Sequence, residues 1–324
     1  MRNLTLLSLC LALFLLRASC ANGKVVVFGD SLSDNGNLYA ITGAAKPLNP
    51  YPPPPYGVAF DGTNGFYPGR FTDGQNWVDY FPAVAKSFGV DIPPSTAHFQ
   101  TLSDDNSTNF AVGGSTSGNV NVLSQDLPGF DLPGFPAQIS AYLTSLSGES
   151  AGGDICVIWI GANDFSAGIS PKSTVDNILN GITRLSKAGA KKIVVVDIPD
   201  LSLTPVVREL KPSPVQDARA FVYSVNVALA IELPLFALMN SVEVDLVDIN
   251  GIFIPLVFSP SIFGFTNSVG AAFNPNTGAL VPDPNDYVFW DGFHPTTKAH
   301  QIAAQFIYTS VFSRRHFREF SSLQ

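Results

Sequence analysis

Cysteine is scarce in this 324-residue chain: there are three, and Cys10 and Cys20 both lie within the first twenty positions. Residues 1–21 read as a signal peptide that is cut away, with Arg2 at the basic end, an apolar stretch over residues 4–16, and the small residues Ala18, Ser19, Cys20 and Ala21 before the cut. That stretch is shorter than the roughly 20 residues that span a bilayer, so no stable membrane anchor is expected from it. A lipid-anchored form cleaved before Cys20 is the competing reading, and Arg17 stands where such a signal needs an aliphatic residue. With the leader gone only Cys156 remains, inside the apolar run 155–160. That excludes an intrachain disulfide framework and makes Cys156 a small buried hydrophobe. A secreted, extracellular protein is expected.

Basic residues are also few. Eighteen Lys and Arg stand against 26 Asp and Glu, and losing Arg2 and Arg17 with the leader lowers the basic count by two. A nucleic-acid partner needs clustered Lys and Arg, and none cluster here. The four histidines form no Cys/His group of the zinc-binding kind, and no Gly-rich loop carries the Lys of a nucleotide phosphate site. Neither a metal nor a cofactor is expected.

What the chain does have is apolar surface to bury, with 46% hydrophobic and 11% aromatic residues, enough for a large core in a single domain over residues 22–324. Apolar, β-branched runs at 25–28, 109–112, 154–160, 192–197 and 242–249 read as strands. Between them, helical patterns fall at about 136–146 and 175–188 and from about 215 onward. Thr72 or Asp73 is expected to cap a helix running to about Phe88. Such alternation predicts a parallel sheet with helices on both faces. The apolar stretch 221–238 contains Glu232 and Pro234, which predicts a core-facing helix interrupted at Pro234 rather than a membrane span. The Pro-, Gly- and aromatic-rich segments 41–68 and 251–288 read as loops over a site. Asn106-Ser107-Thr108 is a glycosylation sequon, so a sugar at Asn106 is expected in a secreted eukaryotic chain.

The stretch Val25-Val26-Val27-Phe28-Gly29-Asp30-Ser31-Leu32-Ser33-Asp34-Asn35-Gly36-Asn37 runs from a buried strand into a polar turn, which puts Ser31 at the carboxyl end of a strand, where α/β sheets open into their ligand crevice. Asp and Ser in such a turn can also be mere capping residues. Three further blocks follow in order: Asn109-Phe110-Ala111-Val112-Gly113-Gly114-Ser115, Gly161-Ala162-Asn163-Asp164 and Asp291-Gly292-Phe293-His294-Pro295. Together the four resemble the blocks of the GDSL esterases and lipases, also called SGNH hydrolases. That resemblance spans residues 25–295 and implies a flavodoxin-like three-layer α/β/α sandwich on a mostly parallel five-stranded sheet. The segment Gly69-Arg70-Phe71-Thr72-Asp73-Gly74, with Trp77 after it, is similar to the larger plant and fungal members, and Arg70 is expected to tie that loop down.

Ester hydrolysis through an acyl-enzyme needs a hydroxyl, a base, a group to orient the base, and donors for the oxyanion. Ser31 supplies the hydroxyl and His294 the base. Asp291, three residues earlier, can reach the second imidazole nitrogen and fix its tautomer. For the oxyanion the resemblance implies the backbone N–H of Ser31, a backbone N–H from Gly113-Gly114, with Gly114 preferred, and the side-chain amide of Asn163. A rival nucleophile sits in Gly148-Glu149-Ser150-Ala151-Gly152, which matches a nucleophile elbow but follows a helix and precedes a strand, the reverse of what an elbow needs. His98, His300 and His316 lack a carboxylate at matching spacing and read as surface residues.

The negative charge and the lack of an amphipathic surface helix argue against an interfacial lipase. Tyr51, Tyr56, Phe66, Tyr67, Trp77 and Trp290 offer flat faces of the kind that stack on sugars. In length and first-block wording the chain also resembles fungal secreted GDSL acetyl esterases. The expected substrate is therefore a small-molecule or oligosaccharide ester, a short-acyl ester of a carbohydrate, acted on by a monomer. A broad lipase or phospholipase, an acyltransferase and a catalytically silent binding module are the alternatives.

Overall fold

The computed structural model describes residues 24–45, 50–60, 65–100 and 108–312. The expected leader, Cys10, Cys20, Asn106 and His316 lie outside them. Four strands, β1 (Val25–Gly29), β2 (Ile155–Trp159), β3 (Lys192–Val196) and β4 (Glu243–Val247), pair side by side in that order, all parallel. The strand expected at 109–112 is not regular. Asn109 makes a parallel bridge to Val27, and ladder-like bonds follow from the Phe110 N–H to the Val27 carbonyl (2.8 Å) and from the Val112 N–H to the Gly29 carbonyl (3.2 Å). The segment thus occupies the fifth position along the free edge of β1, and the turn at Gly113-Gly114 ends it before a strand can propagate.

Side-chain alternation builds the layers. Val26, Phe28, Cys156, Ile158, Ile193 and Val195 face one helical layer, while Val27, Val157, Trp159, Val194 and Val196 face the other. The helices follow in chain order as α1 (Asn37–Ala45), α2 (Trp77–Ser87), α3 (Phe135–Ser145), α4 (Ala162–Ser166), α5 (Pro171–Lys187), α6 (Pro205–Arg208), α7 (Pro212–Asn240), α8 (Asn250–Phe258) and α9 (Thr297–Val311). The first layer is α3, α5 and α7; the second is α2 and α9. This is a three-layer α/β/α sandwich.

Four local expectations need correction. Helix α2 is capped by Asn76 in a reciprocal box with Asp79, not by Thr72 or Asp73. Helix α7 runs unbroken through Pro234, because Pro234 and Ala230 one turn before it face solvent, where the carbonyl that loses its partner can bind water. That helix buries Phe221, Val225, Leu229 and Leu233 but leaves Tyr223, Ile231, Leu235 and Leu238 more than half exposed, so it is apolar on both faces and core-facing on one. By length and hydropathy it is also long and apolar enough to cross a membrane. Finally, the two segments read as loops contain regular structure: α1 extends to Ala45, and 251–288 holds most of α8, a parallel pair β5 (Asn267–Ala271) and β8 (Tyr287–Phe289), and the hairpin β6 (Phe273–Asn274) and β7 (Ala279–Leu280). Helix α8 escaped notice because it is apolar at nearly every position and so shows no 3.6-residue period.

Candidate active site

The turn after β1 is a single helical turn closed by bonds from the Ser33 and Asp34 N–H groups to the Asp30 carbonyl, with the Asp30 carboxylate accepting from the Leu32 N–H. Gly29 is required at its start, since a Cβ there would come within 2.5 Å of the Trp159 carbonyl oxygen on β2. The turn lifts Ser31, half-buried, over the carboxyl edge of the sheet.

Asp34 organises what lies beneath. Its carboxylate accepts from the backbone N–H groups of Gly36 (2.8 Å), Asn37 (2.6 Å), Leu38 (3.1 Å) and Gly113 (2.8 Å). The Gly113 N–H is therefore engaged. Among the described residues no acceptor pairs with the backbone N–H of Gly114 or of Ser31. Gly114 sits at φ +79°, and a Cβ there would meet Asn121 Oδ1 at 2.4 Å, so only glycine suits the position. Asn163 stands at the start of α4. One of its amide hydrogens goes to the Ser115 carbonyl (2.9 Å), which orients the group and leaves the other hydrogen for a ligand. Asp164 beside it is buried and accepts from Ser117, through both its N–H and hydroxyl, and from Thr174 (2.7 Å), locking the 113–117 turn to α4. Gln138 of α3 closes the edge by accepting from the Gly29 N–H (2.9 Å) and donating to the Gly29 carbonyl (2.7 Å).

His294 arrives from the opposite wall. Residues 291–294 form a tight turn in which Asp291 Oδ1 accepts from the Phe293 and His294 N–H groups (2.8 and 2.7 Å). The same carboxylate meets His294 Nδ1 at 2.8 Å, and His294 Nε2 lies 2.8 Å from Ser31 Oγ. The 70–73 segment braces this turn: Thr72 Oγ1 donates to the Pro295 carbonyl (2.8 Å), Asp73 accepts from the first N–H of α9 at Thr297 (2.7 Å), and Phe71 lies 5.1 Å from the imidazole ring. Asp73 therefore serves α9, two hundred residues downstream of where sequence placed its role. Arg70 makes a two-pronged ion pair with Asp79 and donates to the Pro68 carbonyl, as expected of a structural residue.

Electrostatically the two walls differ. Burial would push Asp291 up, but the His294 charge and its hydrogen bonds outweigh it and hold the carboxyl below its ordinary value. Burial would likewise pull His294 down, and Asp291, with a lesser contribution from Asp30, holds it above its ordinary value. On the Ser31 side burial dominates, pushing Asp30 up to about 7 and Asp34 to about 6. Ser31, Gly114, Asn163, Asp291 and His294 all border one cavity of about 950 Å³.

Other expectations fare unevenly. Ser150 is exposed before β2, at the opposite edge of the sheet from Ser31, where its hydroxyl caps a 3-10 turn. His300 is buried within α9, not on the surface, and desolvation pulls it down to about 3; His98 is half-buried against Phe110. Trp77 and Trp290 are wholly buried, so neither offers a face to a sugar. Sequence reasoning missed Tyr56 as a partner of Asp291 (2.7 Å), and no local signal in 50–57 points to it. It also missed Asp34, for which the run Asp-Asn-Gly-Asn at a strand end was a usable turn signal.

The chain was compared with known proteins. It is 25% identical over 302 residues to a thermolabile hemolysin of Vibrio parahaemolyticus, covering 87% of this chain and 62% of that protein. It is 26% identical over 340 residues to acetylajmalan esterase 2 of Rauvolfia serpentina, covering 90% and 91%. A solved structure of a lipolytic G-D-S-L family protein from Veillonella parvula aligns over 90% of this chain and 98% of that one, with 15% identity and a TM-score of 0.45. The family model described as GDSL-like lipase/acylhydrolase matches residues 25–307, nearly the whole described chain, and this protein therefore belongs to that family of ester hydrolases.

Proposed function

We propose that this enzyme cleaves carboxylic esters through an acyl-enzyme on Ser31. The observation that supports it is the unbroken line from Ser31 Oγ through the His294 imidazole to the Asp291 carboxylate at the mouth of the cavity. In this reading His294 Nε2 takes the Ser31 proton as Oγ attacks the ester carbon, while Asp291 holds the Nδ1–H tautomer and stabilises the imidazolium. The oxyanion lies against the N–H of Ser31, the N–H of Gly114 and the second amide hydrogen of Asn163, all fixed before substrate arrives. His294 returns the proton to the leaving alkoxide, and a water molecule repeats the sequence to release the acid. Ser31→Ala should lower kcat at least about 10³-fold with the fold intact, whereas Ser150→Ala should leave it unchanged; the reverse pattern sinks the assignment.

For the substrate, the acyl side favours an apolar group. Trp159, Ile252, Phe253, Leu256, Ala299 and Ala303 line one part of the cavity, which is built by the ends of the sheet and by α8 and α9. A short-acyl ester of a carbohydrate is the second reading, favoured by Tyr51, Asp126, Asn274 and Asn276 on the loop-built rim and by the likeness to an esterase named for an acetylated substrate. Turnover of matched acetyl, butyryl, octanoyl and palmitoyl esters of one alcohol decides between them. An optimum beyond butyryl supports the apolar reading, and an acetyl optimum the second. Adding an acceptor alcohol to the same assay tests for acyl transfer. We also infer export and loss of residues 1–21, for which N-terminal sequencing starting near Ala21 or Asn22 is the check.

A further inference from the structure

Asp291 receives a donor that the chemistry above does not use. Tyr56 Oη lies 2.7 Å from Asp291 Oδ2, the same oxygen that meets His294 Nδ1 at 2.8 Å. Tyr56 comes from the Pro-rich rim segment, 235 residues away in sequence, and its ring is gripped edge-on by Phe71, Phe273 and Trp290, with centroids 5.7–6.1 Å apart. These contacts aim the hydroxyl. With the Phe293 and His294 N–H groups on Oδ1, the imidazole between the two oxygens and Tyr56 on Oδ2, the carboxylate's acceptor sites are filled. We propose that Tyr56 is a positioning residue of the catalytic machinery, a fourth member whose hydroxyl orients Asp291 and drains part of its charge, so setting the basicity of His294. The proposal rests on reading Ser31, His294 and Asp291 as the reacting group.

Burial first, and then the charge of Asp291 and its hydrogen bond, push the Tyr56 hydroxyl far above its ordinary value, so it remains a donor at every working pH. The other ionisable groups that face the pair are Asp30 from the turn after β1, Tyr51 from the same rim segment, and His300 from α9. None of them hydrogen-bonds to Asp291, which leaves Tyr56 as the one side-chain donor besides His294 among the described residues. The rim segment is thereby wired to the acid–base pair: whatever moves residues 50–57 changes the field at His294.

The test is the titration of His294, followed by NMR in the resting protein, alongside the pH profile of kcat/KM. Tyr56→Phe keeps the ring and its packing and deletes only the donor. A carboxylate relieved of that donor holds the imidazolium more strongly, so both the titration and the acid limb of the profile should move up by roughly half a pH unit or more. Tyr56→3-fluorotyrosine, a stronger donor of nearly the same shape, should move both down. A His294 titration that stays put in both variants overturns the proposal, even if turnover falls. Failure of the underlying reading looks different, because Ser31→Ala would then retain activity while the imidazole titration still responded to Tyr56.

Discussion

Asp34 and Asp291 are both buried carboxylates with at least two backbone N–H donors each, yet they sit on opposite sides of the ordinary value. Asp34 collects four backbone donors and is still pushed up to about 6, whereas Asp291 collects two and is held low. The difference is a neighbouring charge. Neutral dipoles around Asp34 satisfy its oxygens without repaying the loss of water, while the imidazole beside Asp291 can carry a positive charge that lowers the carboxyl. The floor of the site, with Ser31, Gly114 and Asn163, is thus a network of neutral donors. The wall that carries His294 is an arm tuned for charge and held by aromatic packing and a few long-range bonds.

The largest test of this contrast is Asp34→Ala, which leaves four buried N–H groups without an acceptor and should cost about 3–5 kcal/mol of stability; a chemical denaturation midpoint close to wild type would show that the floor is not held as described. Asn163→Ala should lower kcat about 10²–10³-fold with KM little changed, as for loss of one oxyanion donor, and a rise in KM at constant kcat would make Asn163 a substrate-binding residue instead. On the arm, Asp73→Ala removes the acceptor for the first turn of α9 and should cost only about 1 kcal/mol in a thermal melt, with a larger proportional loss in kcat, since α9 anchors His294. Equal losses in stability and rate would erase the distinction between the two regions.

The smallest effect is on the pH profile of activity. Because His294 is held above its ordinary value and, in the proposed mechanism, must be unprotonated to take the Ser31 proton, the acid limb of kcat/KM should have its midpoint above 6.5. Stability should run the other way. Asp30, Asp34 and Asp197 bind protons more tightly folded than unfolded, with folded values of about 7, 6 and 7 against 3.8, and together they outweigh His300, whose folded value of about 3 against 6.5 acts oppositely, so the melting temperature should fall as pH rises from about 4 through 7. A melting temperature that instead climbs across that window would mean these carboxyls ionise without penalty.

Much of this protein is written locally. Continuous β-branched runs specify strands buried on both faces, and their alternation with helical patterns is enough for the three layers, because both signals depend only on near neighbours. The four blocks that carry Ser31, Gly114, Asn163 and the Asp291–His294 pair are equally local, each a short turn, three at the carboxyl edge of the main sheet and the fourth after β8. Tertiary structure decided the rest. Which of Gly113 and Gly114 has an available N–H depends on Asp34, 79 residues from Gly113; which helix Asp73 serves depends on Thr297, 224 residues on; and Tyr56 meets Asp291 across 235. Hydrogen bonds of that separation leave no periodicity and no composition behind, since a single hydroxyl or carboxylate can satisfy any donor or acceptor the fold brings within 3 Å or so. The exposed face of α7 is of the same kind: over residues 221–238 apolar residues fall on both faces, and only the position of the sheet and of α5 determined which half is covered.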